Sequence, residues 1–170
     1  MNREKDFADF PEKVSAGAAR SGANYVRAEG RYAVHQGEGK QEAAGAELTF
    51  AHEGIAVYRG EPGEERAGRT ESREATLTPV YKLQPDGPLA VPTGKIFLRF
   101  KEGVEAASRR EEIERAGYEI VQTPPYSPSS AWVRSASGDV ARSLADIDSL
   151  EKLEDVVNVE PQMLVERSLR

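Results

Sequence analysis

Apolar residues are unevenly spread along the 170 positions: almost no periodic apolar pattern precedes Arg31, whereas residues 96–165 hold most of the long apolar runs. One well-packed half and one loosely packed half are therefore expected. In Lys95-Ile96-Phe97-Leu98-Arg99-Phe100 the alternate residues Ile96, Leu98 and Phe100 share a face, the period-two pattern of a half-buried strand. Residues 104–116 predict a helix. Glu105/Arg109 and Glu111/Arg115 stand four apart in the favourable order, Ile113 faces inward, and Gly117 supplies a left-handed stop. Residues 118–123 predict a short strand, ended by Pro124-Pro125 because proline donates no ladder bond. Residues 130–135 predict a third strand. Asp139 caps a second helix with Val140, Leu144, Ile147 and Leu150 on one face. Residues 156–159 predict the last strand, which Pro161 closes.

The resulting order is β-α-β-β-α-β, a ferredoxin-like split βαβ arrangement. Upstream of it, residues 31–84 alternate in strand fashion. Residues 31–35 form one candidate, and residues 46–51 and 55–59 pair around His52-Glu53-Gly54, where glycine accepts a positive φ at little cost. A polar, glycine-punctuated loop over residues 60–73 leads to a further strand over residues 75–83. Pro85-Asp86-Gly87-Pro88 interrupts the pattern and predicts a turn or linker, and the domain boundary is placed there. Residues 1–30 are rich in Ala, Gly, Ser and charge, with Phe7, Phe10 and Tyr25 as their only large anchors; they predict a mobile, frayed or partly helical arm. The expected class is thus α+β. A mobile arm over residues 1–30 and a β-rich extension and linker over residues 31–88 precede a ferredoxin-like βαββαβ domain with a C-terminal tail over residues 89–170.

Net charge is −6 with the charges interspersed, so the clustered cations that displace counterions from phosphate are missing. Phe97 and Trp132 offer rings of the kind on which RNA-binding sheets stack bases, yet the charge balance argues against a nucleic-acid partner. Cysteine is absent, which excludes a disulfide framework and thiolate metal sites. His35 and His52 are the only histidines, without a second ligand at metal-binding spacing, and no metal or other cofactor is expected. A serine nucleophile needs a base and an orienting carboxylate. No Gly-x-Ser-x-Gly elbow occurs, and the better-patterned half contains no histidine, so no catalytic residue is expected. Gly37-Glu38-Gly39 lacks a third glycine and a following apolar helix, and predicts a hairpin tip rather than a phosphate loop. No apolar core follows Met1-Asn2-Arg3-Glu4-Lys5-Asp6 and no run reaches about 18 apolar residues, so neither a secretory signal nor a membrane partner is expected. That pattern fits a cytoplasmic chain and leaves secretion of a longer precursor open.

The stretch Gly94-Lys95-Ile96-Phe97-Leu98-Arg99-Phe100-Lys101-Glu102-Gly103-Val104 resembles the opening strand of the propeptides of subtilisin-type (S8 family) serine proteases. Leu153-Glu154-Asp155-Val156-Val157-Asn158-Val159-Glu160-Pro161-Gln162 resembles their closing strand, and Thr78-Pro79-Val80-Tyr81 is similar to a segment that precedes the propeptide in some bacterial members. The resemblance covers about half the chain. It departs from the family in a longer segment over residues 146–155, and in the lack of an Asp-His-Ser protease domain after Arg170. Either the chain is cut from a precursor or it acts as a free-standing inhibitor. The resemblance implies an intramolecular chaperone or inhibitor whose sheet docks on a subtilisin-type protease, in cis or in trans, while its tail lies in the substrate cleft. The docking face would carry Phe97 and Arg99, joined either by Trp132 and Arg134 or by Ala131 and Val133. Trp132 is read either as an interface anchor or as core. Glu160 matches an acidic residue that meets helix N-termini of the protease, where free N–H groups concentrate positive charge; an ordinary exposed glutamate is the plain alternative. Gln162, Met163, Leu164, Leu169 and Arg170 would belong to the tail, which at roughly 3.3 Å per residue is long enough to cross several subsites. The rival expectation is a non-catalytic regulatory or scaffolding module that binds another protein through the same fold.

Overall fold

A computed structural model of the chain describes residues 7, 9–16, 23–37, 45–60 and 76–166. Several expectations lie outside these residues: Leu169 and Arg170 in the tail, the glycine-flanked tip beyond Gly37, and nearly all of the polar loop after Gly60. The strands are β1 (Lys13–Ala16), β2 (Ala23–His35), β3 (Leu48–Phe50), β4 (Ile55–Arg59), β5 (Thr76–Gln84), β6 (Leu89–Phe100), β7 (Tyr118–Gln122), β8 (Ser130–Ser135) and β9 (Val156–Val165). A 3-10 turn at Ala106–Arg109 leads into helix α1 (Arg110–Arg115), and α2 (Val140–Ala145) and α3 (Ile147–Glu151) lie between β8 and β9. The described residues are therefore mixed α and β, dominated by antiparallel strands.

Two compact units divide the chain. Among the described residues, one gathers Phe7, Val26–Val91 and residues 164–166, and the other gathers Asp9–Tyr25 with Pro92–Met163. The first has strands alone among its described residues, in the order β3-β4-β2-β5-β6. β2 pairs with β4 from Arg31 opposite Arg59 to His35 opposite Ile55. Ala33, Ile55, Val57, Val80 and Val91 form its core, with Leu48, Phe50, Leu89 and Leu164 packed against them. Tyr32 and Tyr58 alternate with that set and stack with ring centroids 5.6 Å apart.

In the second unit the order is β9-β6-β8-β7. Ile96, Leu98, Phe100, Tyr118, Ala131, Val133 and Val159 are buried on the sheet, as are Ile113, Val140, Leu144, Ile147 and Leu150 on the helices. The alternation expected for β6 and the apolar face expected for the second helix therefore hold. Asp139 caps α2 by accepting from Ala141 N at 3.0 Å. Gly117 ends α1 at φ +93°, a conformation that glycine adopts without a Cβ penalty.

Four expectations change. The second helix is two short helices that meet at Asp146. Residues 1–30, expected as a frayed or partly helical arm, contain β1 and the first half of β2, and Phe7 is buried beneath the Arg27 guanidinium. Pro85-Asp86-Gly87-Pro88 makes the expected turn, but the division of the chain falls a few residues beyond it: Gly87 N donates to Leu83 O at 2.8 Å and Leu83 N to Pro88 O at 3.1 Å. That turn returns β5 onto β6, with Tyr81 opposite Ala90, and the units divide after Val91 instead. Finally, β9 does not stop at Pro161 but continues to Val165. A proline is tolerated at a sheet edge because no ladder bond is asked of its nitrogen, and among the described residues β9 pairs with β6 alone.

Candidate functional site

On β6 and β8 the pleat sorts two sets of side chains. Ile96, Leu98, Ala131 and Val133 are fully buried on the helix side. Lys95, Phe97 and Arg99 point the other way, as do Trp132 and Arg134, so the choice between Trp132/Arg134 and Ala131/Val133 falls to the former. Antiparallel register sets Phe97 directly opposite Trp132, Lys95 opposite Arg134, and Arg99 opposite Ser130. The two rings lie 5.1 Å apart, tilted by 59°. Such a tilted contact suits the ring quadrupoles and fixes both side chains. Both aromatics are half-buried, while Lys95, Arg99 and Arg134 are exposed.

The neighbouring strands add polar groups. Glu119 of β7 stands opposite Arg134 and binds its Nε at 2.6 Å. A bulge between Ile120 and Gln122 turns Val121 outward and brings Gln122 opposite Trp132. On β9, Gln162 Oε1 accepts from Thr93 Oγ1 at 2.8 Å. Alternation along β9 puts Glu160 on the same face as Gln162. Glu160 is exposed, and with burial its carboxylate helps to hold the Tyr25 hydroxyl above its ordinary pKa. The arrangement is an aromatic pair framed by cations and a few carboxylates, with no buried nucleophile beside a base.

Of the expected tail residues, Gln162 borders this face and Leu164 does not. Gln162, Met163 and Leu164 are built into β9 and half-buried, and Leu164 packs in the core of the strand-only unit. The expected tail therefore does not begin at Gln162.

No protein-family model, curated protein or solved structure matches this chain.

The histidines stand elsewhere. His35 lies in the strand-only unit, its Nε2 2.9 Å from Thr78 Oγ1, and burial pushes its pKa down to about 4. His52 is exposed in the turn before Gly54. Among the described residues no group of three His, Asp or Glu is placed to hold a metal ion, and no helix is long and apolar enough to cross a membrane. Sequence reasoning passed over two members of the face. Lys95 was within reach, because it shares the alternation of Phe97 and Arg99. Glu119 was not, since its pairing depends on the register between β7 and β8.

Proposed function

We propose that the chain is a propeptide-like chaperone or inhibitor of a subtilisin-type serine protease, non-catalytic in itself. It docks through the helix-free face of the sheet that carries Phe97 and Trp132. The observation that carries this reading is the cross-strand contact of those two rings on the face away from the helices. A half-buried aromatic pair held rigidly before binding loses little side-chain freedom on docking, which is why such residues serve as interface anchors. Support comes also from the strand order β9-β6-β8-β7 with helices between the strands, which suits a ferredoxin-like βαββαβ domain. The likeness of Gly94–Val104 and of Leu153–Gln162 to the propeptide strands points the same way. Because Gln162–Val165 belong to β9, any segment that enters a substrate cleft lies beyond Val165.

The seating of Leu164 in a core favours a second reading, a regulatory or scaffolding module that binds through the same face without a tail. Residual activity separates the two. The full chain is expected to inhibit a subtilisin-type protease, and Phe97→Ala with Trp132→Ala to weaken inhibition at least about a hundredfold, as loss of two central anchors does. A protease left fully active by the unaltered chain ends the propeptide reading in favour of the second.

A further inference from the structure

Two pairs of like charges face each other across strands, and the molecule treats them differently. In the strand-only unit Arg31 stands opposite Arg59, and Glu47 bridges both at 2.8 Å and 3.0 Å. Both guanidiniums donate to Glu47 and hold its pKa down to about 2. On the helix-free face Lys95 stands opposite Arg134. Glu119 pairs with Arg134 from the side away from Lys95's strand, but Lys95 makes no ion pair among the described residues. Past Phe97, Arg99 repeats the condition: it is exposed, faces Ser130, and has no ion-pair partner among the described residues. Like charges directly opposed in a sheet are destabilising. The free chain carries that cost at Lys95 without the bridging carboxylate it uses at Arg31 and Arg59.

We propose that Lys95 and Arg99 form a two-cation clamp, one on each side of the Phe97–Trp132 pair, for a protein partner that presents two carboxylates flanking an apolar ridge. The inference rests on the docking reading above and specifies the chemistry of its partner. Four residues of strand set the two cations roughly 13 Å apart, so the partner's carboxylates stand at a similar separation with apolar atoms between them. A protein surface fits this face better than RNA. Bases stack on open rings, whereas Phe97 and Trp132 are tilted at 59° against each other and half-buried. Glu119 and Glu160 on the same face repel phosphate, and the chain as a whole carries −6. Against two fixed carboxylates each cation acts singly, and the neighbouring glutamates bar a run of negative charge.

The test uses the full chain and a subtilisin-type protease with its nucleophile blocked, with affinity read by titration calorimetry at several salt concentrations. Lys95→Glu with Arg99→Glu is expected to weaken binding at least about tenfold and to flatten its salt dependence. The same pair should leave the melting temperature of the free chain unchanged or higher, because the repulsion with Arg134 is gone. Stability and affinity then move in opposite senses, which a structural role for these residues does not produce. Lys95→Gln with Arg99→Gln gives the same reading if the glutamates disturb folding. In the unaltered complex, carbodiimide coupling should join Lys95 Nζ to an Asp or Glu of the protease. Binding that both double variants leave intact overturns the clamp and spares the docking reading. Absence of binding by the unaltered chain ends the docking reading and the clamp with it. Binding of a uridine oligonucleotide tighter than that of the protease, and lost in the double variants, assigns the face to nucleic acid and overturns the proposal.

Discussion

In the strand-only unit Ile55, Ala56, Val57 and Tyr58 of β4 are buried one after another, so both faces of that strand are covered. In the helix-covered unit β8 alternates: Ala131 and Val133 are fully buried, Trp132 is half-buried, and Arg134 is exposed. The first arrangement uses four successive side chains of β4 for cohesion. The second buries one face under helices and leaves the other more exposed, because a sheet needs only one covered face to hold helices. An open face is also where a charged stripe such as Lys95-Phe97-Arg99 can persist, since its cations remain hydrated in the free chain.

The contrast can be broken most forcefully from the core of the helix-covered unit. Leu150 is fully buried on α3, and Leu150→Ala is expected to cost about 2–5 kcal/mol from lost transfer energy and the cavity left behind. Trp132, the only tryptophan, makes the loss readable as an earlier unfolding transition by fluorescence in urea. An unshifted Trp132 transition would show that α3 does not stabilise the sheet face it covers.

The strand-only unit is expected to respond to acid. His35 has its folded pKa lowered to about 4 by burial, below the unfolded value of 6.5. Its contribution to stability is fully present above pH 6.5 and is lost as pH falls from there through 4, because the unfolded state takes up the proton first. The loss amounts to about 3 kcal/mol. His35→Gln should remove this slope from urea unfolding followed by tyrosine emission between pH 7 and pH 4. A slope that persists in the variant assigns the acid sensitivity to other groups.

A smaller effect is expected within the helix-covered unit. The Tyr118 hydroxyl donates to Ser143 O at 2.6 Å, tying β7 to α2 in a buried setting that raises its pKa, with the carboxylates of Asp146 and Asp148 adding to the effect. Tyr118→Phe should cost about 1–3 kcal/mol, the range for leaving a buried carbonyl without its donor. An unchanged melting temperature would mean that the ring alone fastens the helix.

These differences also explain what could be read from the residues alone. β8 was legible to its ends, because alternation appears wherever one face of a strand is open, and Pro124-Pro125 and Asp139 punctuate its surroundings. The break between α2 and α3 was invisible, since Val140, Leu144, Ile147 and Leu150 keep one helical phase across Asp146. The first half of β2 was missed because Arg27 and Glu29 give it the composition of a solvated arm. What holds its neighbourhood is the contact of Arg27 with Phe7, twenty residues away, and no local pattern reports such a partner. Of the site, Phe97 and Arg99 followed from alternation, whereas alternation on β8 left Trp132 and Ala131 as rival outward residues. The pairing of Glu119 with Arg134 and the capture of Leu164 by a distant core depend on tertiary register.

The position of β9 in the chain bears on how the protein is made. Lys101 N donates to Asp155 O at 2.8 Å and Thr93 reaches Gln162, so the edge of β6 is satisfied by residues synthesised long after it. Leu164 completes the strand-only core at the same late stage. However far the chain continues, a nascent polypeptide emerging from the ribosome presents β6 with one edge open until residue 165 is clear of the exit tunnel. Closure across so wide a sequence separation is slow compared with helix formation, and an unpaired edge recruits other strands. Neither core is therefore complete until β9 has been synthesised.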